Sequence, residues 1–129
     1  MRLHHVQVSM PRGGEELARR FYADAIGLTE VAKPPSLAGR GGCWFRWYSG
    51  ETVTAEIHLG VDDPFVPAMK AHPALVMDDV AKLDELAARI AEAGFEVSHA
   101  ERGTFEGYLR FHARDGFGNR LEVLVPHGQ

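Results

Sequence analysis

Four residues of cation-binding type stand at related positions in this chain: His5, Glu56, His72 and Glu122. His5 and Glu56 are 51 positions apart, His72 and Glu122 are 50. Two imidazoles and two carboxylates form a mixed nitrogen and oxygen donor set. Such a set suits one divalent metal ion, among them zinc, nickel, cobalt, manganese and ferrous iron. On an octahedral ion it leaves positions open for water or substrate. A carboxylate can bind a cation and a proton in turn, which makes Glu122 and Glu56 the candidate catalytic bases. His58 shares a strand face with Glu56 and could replace or assist it.

The surrounding pattern says how these residues are positioned. Residues 3–10 alternate, with His5 and Gln7 on one face and Val6 and Val8 on the other. Residues 15–26 read as a helix, with Leu17, Phe21 and Ala25 spaced by four and Gly27 as the stop. Strands follow at 28–32, 43–48 and 52–60, with a loop at 33–42. A linker rich in Asp and Pro covers 61–71. The order then starts again: a strand at 72–78, a helix at 80–93 ended by Gly94, and strands at 95–98, 108–113 and 119–126. His5 to Gly27 and His72 to Gly94 span the same 22 positions. The chain is therefore expected to be α+β, with two paired βαβββ modules over residues 1–60 and 72–127. Together they form one domain over residues 1–129, its curved sheets around a central cavity and its helices outside. In each half the strand parity puts the histidine and the carboxylate opposite the aliphatic face, toward that cavity.

The same parity supplies wall residues. Tyr108, Arg110 and His112 share one face of a strand expected beside that of Glu122. Either Trp44, Arg46 and Tyr48 or Cys43, Phe45 and Trp47 face inward from the first half. Gln7, Arg46, His58, Tyr108, Arg110 and His112 are the candidate substrate-binding residues, with Arg110 suited to an anionic or carbonyl group.

Composition narrows the class. The 129 residues suffice for one compact domain. Apolar residues make up 45% and charged residues 25%, as in soluble globular proteins. The formal net charge of −4 and the lack of a basic stripe exclude a nucleic-acid partner, and no apolar run is long enough to span a bilayer. One cysteine, Cys43, allows no internal disulfide, which fits a reducing cytoplasm.

The chain resembles the vicinal oxygen chelate superfamily, in its glyoxalase, bleomycin resistance and dioxygenase branch. The resemblance rests on Leu3-His4-His5-Val6, Phe21-Tyr22 through Gly27-Leu28, Ala55-Glu56-Ile57-His58-Leu59, His72-Pro73-Ala74-Leu75 and the closing Asp115-Gly116-Phe117-Gly118-Asn119-Arg120-Leu121-Glu122. It covers essentially the whole chain. It implies metal ligands at His5, Glu56, His72 and Glu122, most like the glyoxalase I arrangement. It also implies a homodimer, in which one site draws on two chains. The implied activity is that of a metal-dependent lyase or isomerase, removing a proton beside the carbonyl of a small oxygen-chelating substrate. A ring-cleaving dioxygenase, using His5, His72 and Glu122, is the alternative within enzymes. Sequestration of an aromatic antibiotic is the alternative outside them. The sequence shows no basic cluster of the kind glutathione's carboxylates need.

Overall fold

A computed structural model describes residues 1–128. It contains two compact units, Met1–Pro67 and Ala68–Gln129, and the division falls inside the expected linker. The first unit holds β1 (Val6–Met10), α1 (Glu15–Arg19), β2 (Thr29–Val31), α2 (Pro35–Ala38), β3 (Cys43–Ser49) and β4 (Thr52–Val61). The second holds β5 (Ala74–Val76), α3 (Val80–Glu92), β6 (Val97–Ser98), β7 (Tyr108–Arg114) and β8 (Arg120–Pro126).

Each unit carries one four-stranded sheet, ordered β1-β4-β3-β2 in the first and β5-β8-β7-β6 in the second. The two orders are the same, so the protein is α+β with two βαβββ modules. In both, the first strand returns through a helical crossover to lie parallel to the last. In the second unit this pairing brings His72, just before β5, beside Glu122 of β8.

The cores follow the predicted parity. On β8, Leu121, Val123 and Val125 are buried. Their partners on β7 are Ala113, Phe111 and Leu109, so these six share one face of the sheet. α3 covers that face with Leu83, Leu86, Ala87 and Ile90. Its start is fixed by Asp79, whose Oδ1 accepts the Lys82 N–H at 2.8 Å. In the first unit Tyr22 stacks on Phe45, with ring centroids 5.5 Å apart, and Cys43, Ile57 and Leu59 are buried with them. Burial pushes the Cys43 thiol up to about 11, so it behaves as a small apolar side chain.

Several expected boundaries move. The helix expected over residues 15–26 is α-helical only to Arg19 and continues as a π-helix over Arg20–Ala25. The Ile26 N–H donates to the Phe21 carbonyl, five residues back, and the wider turn buries Phe21, Tyr22, Ala25 and Ile26 together. The loop at 33–42 includes α2, for which Pro35 supplies a preset first turn. β1 begins at Val6, where the ladder to Ile57 begins. β5 begins at Ala74, because Pro73 has no N–H to offer a ladder. His5 and His72 therefore precede their strands instead of lying within them.

Truncation should separate core from surface. Phe111→Ala, in the fully buried β7 position, is expected to cost about 3–5 kcal/mol of stability. Val76→Ala, at an exposed position, should stay within about 0.5 kcal/mol. Urea denaturation of both variants checks this.

Candidate metal centre and active site

The second unit builds its site around Glu122, which is only 4% exposed. The turn before β8 sets its register. Asp115 Oδ1 accepts the N–H groups of Phe117 and Asn119, both at 2.9 Å, and Asp115 Oδ2 accepts the Asn119 side-chain amide. The Glu122 N–H donates to the Pro73 carbonyl, and Glu122 lies opposite Ala74 on one side and His112 on the other.

Three groups converge on its carboxylate. His72 Nε2 is 3.0 Å and His112 Nε2 3.4 Å from Oε1, and Arg110 donates to Oε2 at 3.3 Å. The tautomer of His72 follows from its other nitrogen. Its Nδ1 lies 2.6 Å from the Lys70 carbonyl, which can only accept, so Nδ1 carries the proton. A second proton on Nε2 would be donated to Glu122, and without it the Nε2 lone pair is open to a cation. Two acceptors at 3.0 Å need a proton or a metal cation between them. A ring nitrogen tied to a carbonyl while the other faces a carboxylate is the usual setting of a metal-binding histidine. Ligand atoms of His72, His112 and Glu122 all lie within 4.8 Å of one another. This is a possible divalent-metal site of two nitrogens and one oxygen, and the donor set fits the metals expected from the sequence.

The charges agree. Burial would raise the Glu122 pKa, but His72 and Arg110 outweigh it and hold the carboxyl below its ordinary range. Burial lowers the His112 pKa, and the Arg120 cation pushes it the same way, so the ring is neutral and able to ligate. Arg110 is itself fixed, donating to the Glu101 carbonyl at 3.1 Å and to Thr104 Oγ1 at 2.8 Å. Tyr108 lies on the same face of β7 and packs on Phe105.

The first unit treats its carboxylate differently. Glu56 is 6% exposed on β4. Arg46, directly opposite on β3, donates to Oε1 at 2.7 Å, and His58 Nε2 donates to Oε2 at 2.6 Å. Burial opposes ionisation of Glu56, yet these two donors hold its pKa below the ordinary value. Burial also depresses the pKa of His58. The His58 ring is stacked between Trp44, at 3.9 Å, and His5, at 4.0 Å. His5 is exposed, and its Nδ1 lies 2.9 Å from that of His4. Gln7 pairs in register with His58 and folds over Gly60, where an added Cβ would meet the Gln7 amide at 2.6 Å.

The sequence-expected residues thus fall into two groups. His72, Glu122, Arg110 and His112 meet in the second unit. His5, Gln7, Arg46, Glu56 and His58 meet in the first, where Glu56 and His58 form a bonded pair. Of the two inward-facing sets considered on β3, Trp44 and Arg46 share the face of Glu56 and His58. His112, expected as a substrate contact, has a ligand atom within 4.8 Å of those of His72 and Glu122 and so joins the possible metal site. The signal for it was its pairing with Glu122, which requires the β7–β8 register.

A family model for the Glyoxalase/Bleomycin resistance protein/Dioxygenase superfamily matches residues 2–123. With its paired βαβββ modules, the chain belongs to this superfamily, whose fold is that of the vicinal oxygen chelate proteins. Among solved structures it is similar to a protein of Bacillus anthracis assigned to the glyoxalase family. The identity is 41%, over 98% of this chain and 100% of that one, with a TM-score of 0.80. At lower identity it shares the fold of TnmS3, an antibiotic binding protein from Streptomyces sp. CB03234 (23%, 98% and 99% covered, TM-score 0.67). It likewise shares the fold of FosX, a fosfomycin resistance protein from Listeria monocytogenes (16%, 100% and 94% covered, TM-score 0.67). Comparison with curated protein sequences gives no match.

The four depressed pKa values carry a common sign. A group whose folded pKa lies below its unfolded value favours folding above that value and loses the effect as pH falls. His58 and His112 lose theirs as pH drops below 6.5, and Glu56 and Glu122 follow below 4.5. Metal-free protein should therefore melt at progressively lower temperature as pH is taken from about 8 to about 5. Replacing His58 and His112 by Gln should flatten the upper part of that slope, as read by calorimetry.

Proposed function

We propose that the protein is a metal-dependent, glyoxalase-like lyase or isomerase acting on a small oxygen-chelating substrate. The observation that carries the reading is the convergence of His72 Nε2 and His112 Nε2 on Glu122 Oε1, at 3.0 and 3.4 Å, with all three ligand atoms within 4.8 Å of one another. His72, Glu122 and His112 would hold one divalent cation, with zinc, nickel, cobalt, manganese and iron as the candidates. A cation held there supplies Lewis-acid polarisation to neighbouring substrate oxygens. Arg110, bonded to Glu122, places a fixed positive charge where negative charge develops on the substrate oxygens. Glu122 and Glu56 are the carboxylates able to accept a proton from the carbon beside a carbonyl. Glu56 is kept ionised and oriented by Arg46 and His58. The reading includes assembly as a homodimer. The partner in all cases is a small molecule, and a reducing cytoplasm suits the lone cysteine.

A second reading has a specific observation behind it. Two histidines and one carboxylate, His72, His112 and Glu122, are the donor set of non-haem iron oxygenases. A ring-cleaving dioxygenase would use it with ferrous iron.

Metal analysis of protein purified without added metal separates these readings. Near-stoichiometric zinc, nickel or cobalt supports proton-transfer chemistry, and iron with oxygen uptake on catechols supports the dioxygenase. Absence of metal, with none taken up on incubation, would leave a binding protein like those that sequester antibiotics. Glu122→Gln should lower turnover on the order of 10²–10⁴-fold and weaken metal retention while the protein still folds. Deuterium uptake beside the carbonyl of hydroxy-carbonyl compounds in D₂O provides the turnover measurement. Unchanged metal content and exchange in that variant would refute the assignment.

A further inference from the structure

Arg120 lies two residues before Glu122, so both side chains rise from one face of β8. The register places Arg114 opposite Arg120, His112 opposite Glu122 and Ser98 opposite His112. These residues border a cavity of about 660 Å³ whose wall also includes His99 and Glu96. That volume is in the range of small-molecule sites. His112 belongs both to this wall and to the candidate metal cluster, so the cavity adjoins the centre.

The charges around the cavity are unevenly matched. Two arginines directly opposite on neighbouring strands repel each other. One is compensated: Arg114 Nε lies 3.3 Å from Glu96 Oε2, and its guanidinium donates to the Gly118 carbonyl at 3.0 Å. The other carboxylate on the wall, Glu101, accepts from Thr104 Oγ1 at 2.7 Å and lies 3.9 Å from Arg110. Arg120 is half-buried, and its side chain has no hydrogen bond or ion pair among the described residues. A guanidinium in that state keeps its planar fork of donors for a ligand, and an oxyanion is the partner that fork fits.

We infer that Arg120 forms an oxyanion subsite beside the candidate metal centre, so that the ligand chelated there carries a carboxylate or phosphate group at its other end. The subsite sharpens the functional reading from small oxygen-chelating substrate to an anionic one. It rests on that reading only for what happens at the chelating end.

Titration of metal-free protein with inorganic phosphate and with acetate, followed by amide NMR, tests it without the metal. The expected result is saturable shifts at Ser98, Arg114 and Arg120, with affinity falling about tenfold or more in Arg120→Gln. Arg120→Lys should retain part of the affinity, since the charge remains and the fork is lost. The anion bound more tightly identifies the group the substrate carries. Equal affinity of wild type and Arg120→Gln for both anions, or shifts confined to other surfaces, would overturn the proposal. Zinc uptake measured on Arg120→Gln should match wild type. Failure of the metal reading would therefore appear in zinc uptake, and failure of the anion subsite in the titration.

Discussion

A carboxylate in the middle of a buried strand is stable only when its charge is answered at close range. Glu122 meets that condition through groups delivered by separate parts of its unit. The segment leading into β5 brings His72, β7 brings His112 and Arg110, and the Asp115 turn fixes the register that aims Glu122 at them. Remove the parallel pairing of β5 with β8 and His72 has no reason to be near. Shift β8 by one residue and Glu122 enters the core while Leu121 leaves it. The sheet topology and the site are the same constraint seen twice.

The two units share a topology and diverge in how they answer the charge. In the first, the residue opposite the carboxylate is an arginine, and Glu56 is held by two committed donors, Arg46 and His58. In the second, the residue opposite is a histidine with a depressed pKa, and a second imidazole nitrogen, His72 Nε2, lies 3.0 Å from the carboxylate. An arginine can never become a ligand, whereas a neutral imidazole can. The cross-strand partner thus differs between the units, an arginine beside Glu56 and a histidine beside Glu122.

The alternation of polar and aliphatic residues, the helix stops at Gly27 and Gly94 and the equal spacing of the two halves carried the modules and their sheets in the sequence. Hydrophobic period and positive-φ glycines act locally, so they can be read without a partner. The π-helix at Arg20–Ala25 was not legible, because its cause is the packing of Phe21 and Tyr22 rather than their spacing. Glu122, His72 and Arg110 were legible from parity. The ligand position of His112 and the cross-strand pairing of Arg114 with Arg120 were not. Both depend on which residue of β7 stands opposite which residue of β8, and alternation leaves that register open by steps of two. The paired arginines form no cluster in the sequence for the same reason: they are six residues apart along the chain and adjacent only across the ladder.

The central claim is that the Glu122 carboxylate and the His72 ring share a cation. Diffraction from zinc-loaded crystals, recorded at the zinc absorption edge, tests it directly. The account predicts an anomalous peak about 2.0–2.2 Å from both His72 Nε2 and a Glu122 oxygen, with His112 Nε2 completing the group. Zinc bound elsewhere, with His72 and Glu122 still hydrogen-bonded to each other, would contradict it.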